Sequence, residues 1–241
     1  MTHFLLLIFL FIQSSLAKVV LIDPGHGGQE TGAIGKIRSN SPERFFEKDL
    51  ALNFSQRLKK ELSKLTTTYL TRSLDRTVTL QERAELADLV KADLFLSIHF
   101  NSSANSKHHG FELYYLDNNS NVANAKVEKA ENQDLKGEEL IVNQILVDLV
   151  VQQTVKYSKK LAELVHQSVK PNLKKYKIED RGIKAGLFYV LALSKRPGLL
   201  IEIGFMSNPE ELKKIQNEKF LNDLAQKIAE GVFRYIKTQS V

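Results

Sequence analysis

Apolar residues in this chain fall into short unbroken runs and longer stretches of three- and four-residue steps, and the two kinds alternate. The run Val19, Val20, Leu21, Ile22 ends at Asp23 and Pro24, and His26 follows among Gly25, Gly27 and Gly28. Gly and Pro stop a strand there, and glycine lets the backbone come close to a ligand. A Gly/Ser/Asn-rich loop runs from Gly27 to about Pro42. Residues 47–65 read as a helix, with Leu50, Leu52, Phe54, Leu58, Leu62 and Leu65 spaced by about a turn. Residues 66–71 are a β-branched strand, and residues 80–91 a helix that Thr79 and Glu82 open as a capping box. Strands follow at 94–100 and 110–116, then an Asn/Ser-rich turn at 117–121. Residues 122–170 are mostly helical, broken near Lys136 and Gly137 and ended by Pro171. Residues 186–193 and 198–204 read as strands, and 209–215 and 218–237 as closing helices. Strands alternating with helices predict one α/β domain, a mostly parallel twisted sheet flanked by helices.

The first segment stands apart from that pattern. Residues 1–17 hold no Lys, Arg, Asp or Glu, Phe4 to Ile12 is unbroken apolar, and Ser15, Leu16 and Ala17 supply small residues at a cleavage site. This reads as a signal peptide, too short to span a bilayer, with a mature domain over 18–241 and no membrane span. The alternatives are a buried first strand or an uncleaved anchor.

Composition narrows the chemistry. The 241 residues include no cysteine, so no disulfide forms and any metal must be held by His, Asp or Glu. Export without disulfides fits the periplasm or cell envelope of a bacterium. The net charge of +6 favours polyanions, among them acidic wall polymers. With export expected and no recognisable nucleic-acid motif, nucleic acid is the poor candidate among them, and none is expected as partner.

Three ionisable residues sit at or inside buried strand ends: His26, His99 in FLSIHFN and Glu202 in LLIEIGF. An acid within Leu199–Gly204 is costly to bury unless it is paired, bound to a metal or placed at an open strand end. Taken singly, a histidine such as His99 in a core strand is more often a hydrogen-bonded structural residue, and Glu47 is an acid favoured by a helix start. Together, two imidazoles and a carboxylate are the ligand set of a catalytic zinc, and a further carboxylate could serve as general base.

These residues lie in blocks that resemble the zinc-dependent N-acetylmuramoyl-L-alanine amidases of the Amidase_3 family. VLIDPGHGGQETGAIG resembles the first block, FFEKDLALNFSQRLKKEL the glutamate-bearing helix, and TRSLDRTVTLQERAELAD the Arg/Asp block. LFLSIHFNSS carries the second histidine and PGLLIEIGFMSNPEEL the terminal glutamate. The resemblance implies Zn2+ held by His26, Glu47 and His99, and Glu202 as the catalytic proton carrier. It implies that the substrate is peptidoglycan, cut between the lactyl carbonyl of N-acetylmuramic acid and L-alanine, in wall turnover and daughter-cell separation. Asn101 matches a position lining the substrate groove. Arg72 and Arg83 match family positions and read as structural salt bridges. His108, His109 and His166 match no ligand position and read as surface residues.

Some relatives carry an extra helix that plugs the zinc site with a glutamate until a LytM-type activator withdraws it. Residues 122–142 occupy that place, with Glu128, Glu131, Glu138 and Glu139 as candidates. The segment is shorter than the self-inhibiting versions, and an ordinary capping helix is the other reading. No separate targeting domain or wall-binding repeat is expected. A zinc peptidase or deacetylase acting on another envelope amide would share this chemistry. A non-catalytic wall-binding relative would lack one of His26, Glu47, His99 or Glu202.

Overall fold

The computed structural model describes residues 18–38, 40, 42–118, 125–132 and 138–239, with the side chains of 126 and 138–145 left out. In chain order the elements are β1 (Val19–Pro24), β2 (Ile34–Gly35), β3 (Phe45–Phe46), α1 (Glu47–Leu62), β4 (Thr67–Leu70), α2 (Leu80–Leu89), β5 (Leu94–Asn101), β6 (Phe111–Leu116), α3 (Ala125–Glu131), α4 (Glu138–Tyr176), β7 (Asp180–Gly186), α5 (Tyr189–Ser194), β8 (Gly198–Phe205), α6 (Pro209–Lys214) and α7 (Glu218–Thr238). The leader assigned to residues 1–17 lies outside the described residues.

Six strands form one sheet in the order β4-β1-β5-β8-β6-β7. Pairing is parallel throughout except between β6 and β8. The expected single α/β domain with a mostly parallel sheet is what forms. β5 and β8 are buried along their whole length, which is why they read as near-continuous apolar runs.

Successive side chains point to opposite faces, and the period of two sorts them into two cores. Val20, Ile22, Leu96, Ile98, Leu199 and Ile201 pack on one side under α1, α7 and the later part of α4. Leu21, Phe95, Leu200 and Tyr114 pack on the other with α2, α5 and the earlier part of α4. Continuing that second face toward the strand ends gives Asp23 on β1, Ser97 and His99 on β5, Glu202 on β8 and Glu112 on β6, all buried. The chemistry of the chain is therefore the polar end of its smaller core.

Three local expectations are corrected. Residues 189–194 are helix α5, not strand; a fully buried apolar run has no periodicity to separate the two, and both edges of β8 are already paired, to β5 and β6. Pro171 does not end its helix but lies inside α4, which continues to Tyr176. A proline there costs about 3 kcal/mol. Burying Val169 and Leu173 on either side outweighs it, at about 1.5–3 kcal/mol for each large side chain. The loop at 27–42 also contains β2, paired antiparallel with β3 just before α1. Of the helical reading of 122–170, residues 125–131 form α3 and residues from 138 onward α4; residues 122–124 and the break expected near Lys136 and Gly137 lie outside the described residues.

Candidate active site

The turn after β1 is held from beneath. His26 has φ 55°, a left-handed conformation uncommon for a residue with a Cβ. Two buried arginines hold the backbone leading into it. The Arg72 guanidinium donates to the carbonyls of Pro24, Gly25 and Lys48 at 3.1, 2.8 and 2.8 Å. Arg83 donates to the carbonyls of Pro24 and His26 at 3.0 and 3.1 Å and pairs with Asp23. Asp23 also accepts from Thr71 and Ser97. Gly25 is required for proximity, since a Cβ there would lie 2.4 Å from Cε1 of His99.

Glu47 opens α1 and is anchored by backbone donors on both sides. Its Oε2 accepts from Ala33 N–H at 2.8 Å and its Oε1 from Phe100 N–H at 3.0 Å. His99 Nδ1 lies 3.0 Å from Oε1 and His26 Nε2 lies 3.2 Å from Oε2. The two imidazoles meet edge to face with centroids 5.0 Å apart. Gly32 makes room, because a Cβ at that position, where φ is 62°, would meet Glu47 Oε2 and His26 Cδ2 at 2.6 Å.

A fourth group enters from α3. Glu131 Oε2 lies 2.8 Å from His99 Nδ1 and 3.6 Å from His26 Nε2. One ligand atom from each of His26, Glu47, His99 and Glu131 falls within 4.8 Å of the others. The helix is fastened to the segment between β7 and α5: Leu187 N–H donates to Glu128, Tyr189 N–H donates to the Asn132 side chain, and Asn132 Nδ2 donates to the Leu187 carbonyl. Of the four glutamates singled out from the sequence, Glu131 thus reaches the cluster and Glu128 fastens the helix. The side chains of Glu138 and Glu139 lie outside the described residues.

The electrostatics call for a cation. Burial would lower the pKa of His26, yet Glu47 outweighs it and holds the value above the ordinary 6.5. Burial likewise opposes protonation of His99, and Glu131 and Glu47 raise its pKa well above 6.5. Burial pushes the Glu47 carboxyl up, and the two imidazoles more than reverse this. Two carboxylates around two imidazoles suit a divalent metal as well as protons, and the buried His26 Nε2 lies within ion-pair range of both acids without an aligned hydrogen bond among the described residues. The donor set, His and Glu without Cys, fits zinc.

Glu202 stands beside this cluster, paired in register with His99 on β5 and Glu112 on β6. It is fully buried, and neither carboxylate oxygen has a hydrogen-bond partner among the described residues. Burial, followed by the charge of Glu131, raises its pKa well above 4.5. A cavity of about 450 Å3 opens over the cluster, lined by His26, Glu47, His99, Asn101, Glu131 and neighbours.

Asn101 lines the cavity, and its Nδ2 donates to Glu112 at 2.9 Å. Arg83 makes the expected salt bridge, with Asp23. Arg72 is corrected: among the described residues it has no carboxylate within ion-pair distance and holds carbonyls instead. His108 and His109 are exposed, and His166 pairs with Asp180 at 2.7 Å, away from the cluster. Arg181 and Lys184 are not legible in the sequence, because β7 shows no apolar alternation, and Glu112 sits within an apolar β6 run where nothing local marks its partners.

The family described as N-acetylmuramoyl-L-alanine amidase, Amidase_3, matches residues 20–234. The chain is 34% identical to the N-acetylmuramoyl-L-alanine amidase AmiA of Escherichia coli over 228 residues, covering 90% of this chain and 76% of that protein. It is 31% identical to LytC of Bacillus subtilis, covering 92% of this chain and 36% of that longer protein. Among solved structures, the catalytic domain of CwlV, an N-acetylmuramoyl-L-alanine amidase from Bacillus (Paenibacillus) polymyxa var. colistinus, superposes with a TM-score of 0.68 at 30% identity, covering 91% of this chain and 98% of that one. An N-acetylmuramoyl-L-alanine amidase from Clostridium difficile 630 gives 0.68 at 32% identity, covering 92% and 98%.

Proposed function

The chain belongs to the Amidase_3 family of N-acetylmuramoyl-L-alanine amidases and is a peptidoglycan amidase, and on that premise we propose a zinc hydrolase held shut by its own helix α3. His26, Glu47 and His99 are the resident zinc ligands, and Glu131 takes the place that substrate needs. The observation that carries this reading is the convergence of these four residues within 4.8 Å beside a buried carboxylate, Glu202, that has no partner among the described residues. When bound, zinc supplies Lewis acidity to the scissile carbonyl and acidifies the attacking water.

The remaining steps fall to the chain's own groups. Glu47, fixed by Ala33 N–H and Phe100 N–H, is held with its carboxylate beside both imidazoles as the third member of the ligand set. Glu202 takes the proton of the attacking water on a carboxylate oxygen and delivers it to the departing alanine nitrogen, which closes the hydrolysis. Its buried setting raises its affinity for that proton, which suits the second half of the task. Asn101, fixed by Glu112, lines the cavity where the glycopeptide lies.

Regulation follows from the fastening of α3. Glu131 and substrate compete for one position, so activity requires that the contacts of Glu128 and Asn132 with residues 187–189 be released. An activator of the LytM type is the partner we propose for that release. We assign the mature enzyme to residues 18–241, exported to the envelope where its polymer lies, with a role in wall turnover and daughter-cell separation. Digestion of purified sacculi tests the activity: intact stem peptides beginning with L-alanine support it, and cuts within the stem refute it. Deleting residues 124–138 tests the plug, because unchanged dye release from labelled sacculi would remove it from the account.

A further inference from the structure

The row of ionisable groups that begins at His99 does not stop at Glu202. His99 pairs with Glu202, Glu202 pairs with Glu112, and β7 lies next to β6. Two cations from β7, Arg181 and Lys184, converge on the same Oε1 of Glu112. Residues three apart in a regular strand point to opposite faces. Here a bulge reverses that: Phe111 and Leu113 of β6 face Asp180 and Ile183 of β7, so β7 carries one extra residue, and Gly182 with φ 77° takes up the turn. A bulge beside a catalytic edge re-aims side chains, and this one brings both cations to one side.

Glu112 is only 1% exposed and already saturated, since its Oε2 accepts from Asn101 and from the Tyr114 hydroxyl at 2.9 and 2.7 Å. The cations are not. Their side chains are 28% and 24% exposed, and together they exceed the charge of Glu112 by one. Both are held in place by aromatic faces, Arg181 by Phe205 at 5.3 Å and Lys184 by Tyr114 at 5.5 Å. The nearby acid Glu179 is engaged by His109 at 3.0 Å. The result is a fixed pair of donors with charge to spare for another anion.

Resting on the amidase reading, we infer that Arg181 and Lys184, aimed by the Gly182 bulge and seated on Glu112, bind a free carboxylate of the stem peptide and set its selectivity. The spacing says which residue of the peptide. Glu112 lies one strand spacing, about 5 Å, from Glu202 and two, about 10 Å, from His99. A peptide leaving a scissile amide held between those two advances about 3.5 Å per residue, so its second or third residue arrives at the cations. An amidated residue there would lose the ionic contact.

The test uses two soluble muramoyl tripeptides that differ only in whether the carboxylates of the second and third residues are free or amidated. The ratio of their kcat/KM values is measured for the full chain, for Arg181→Gln, Lys184→Met and Lys184→Arg, and for each of these combined with Glu131→Ala. A ratio cancels losses of folded protein. The unmutated chain should prefer the free acid by about tenfold, as expected for a charge-assisted contact. That preference should collapse toward one in Arg181→Gln and Lys184→Met, through KM, and survive in Lys184→Arg. A ratio near one before mutation, or one that persists in both charge-removing variants, overturns the inference and leaves the amidase reading standing. No hydrolysis of either peptide by any form, Glu131→Ala included, overturns both.

Discussion

Glu131 Oε2 lies 2.8 Å from His99 Nδ1, closer than Glu47, the other acid beside that ring. A residue from a short helix outside the sheet has become part of a largely buried charged cluster. If α3 blocks the site, apparent activity scales with the fraction of molecules in which it has left. Glu131→Ala should therefore raise basal dye release from labelled sacculi by about tenfold or more, equivalent to about 1.4 kcal/mol of lost closure. Asn132→Ala, which removes both side-chain contacts with residues 187–189, should move the rate in the same direction by a smaller factor. Equal rates in all three proteins would make α3 a capping helix only.

Glu202 provides a separation of stability from activity. It is fully buried and unpaired among the described residues, with burial and neighbouring acids raising its pKa. Glu202→Gln keeps the shape and removes an ionisable group that costs free energy to bury. The variant should melt at the same or a higher temperature, bind zinc as before, and lose turnover by about 10²–10⁴-fold. Retained turnover would remove Glu202 from its role.

The arginines beneath His26 should act on metal affinity. Arg72 holds four carbonyls with its planar fork, a geometry that lysine does not reproduce. Arg72→Lys should weaken zinc binding by about 10–100-fold, the usual cost of disturbing groups that orient ligands. Competition with a chromophoric chelator reads this directly, and an unchanged zinc affinity would show that the turn holds itself.

Acid sensitivity should trace partly to Asp23. Burial pushes its pKa up, but Arg83 and Thr71 more than compensate and hold it below 3.8 in the folded protein. Because the folded value is the lower one, the stabilisation is complete above 3.8 and is lost as pH falls through the folded value. Asp23→Asn should cost about 3–5 kcal/mol at neutral pH, since Arg83 is left buried without its counter-ion. Urea midpoints measured from pH 7 to pH 2 should fall less steeply for the variant than for the unmutated chain; parallel curves would exclude Asp23 as a source.

Much of this was legible in the sequence because strand ends leave a mark. The Asp-Pro-Gly-His corner, the acid at the start of a periodic helix, and the charged residues inside apolar runs named His26, Glu47, His99 and Glu202. What stayed hidden depended on contacts that local pattern does not encode. Nothing in spacing distinguishes Glu131 from Glu128, though α3 sends one to the cluster and the other to Leu187 N–H. β7 is not legible because its bulge and its half-buried basic residues erase the alternation that marks a strand. α5 was mistaken for a strand because an apolar run buried on all sides has no period. Pro171 misled because tertiary burial around α4 outweighs a local preference.

Zinc dependence and bond specificity meet in one measurement. Protein stripped with a chelator, and the same protein restored with one equivalent of Zn2+, are each incubated with purified sacculi, and the soluble products are separated and weighed. The account predicts no release by the stripped protein and, after zinc is restored, release of intact stem peptides with a free L-alanine amino terminus. Undiminished cleavage without metal, or products cut inside the peptide stem, would contradict it.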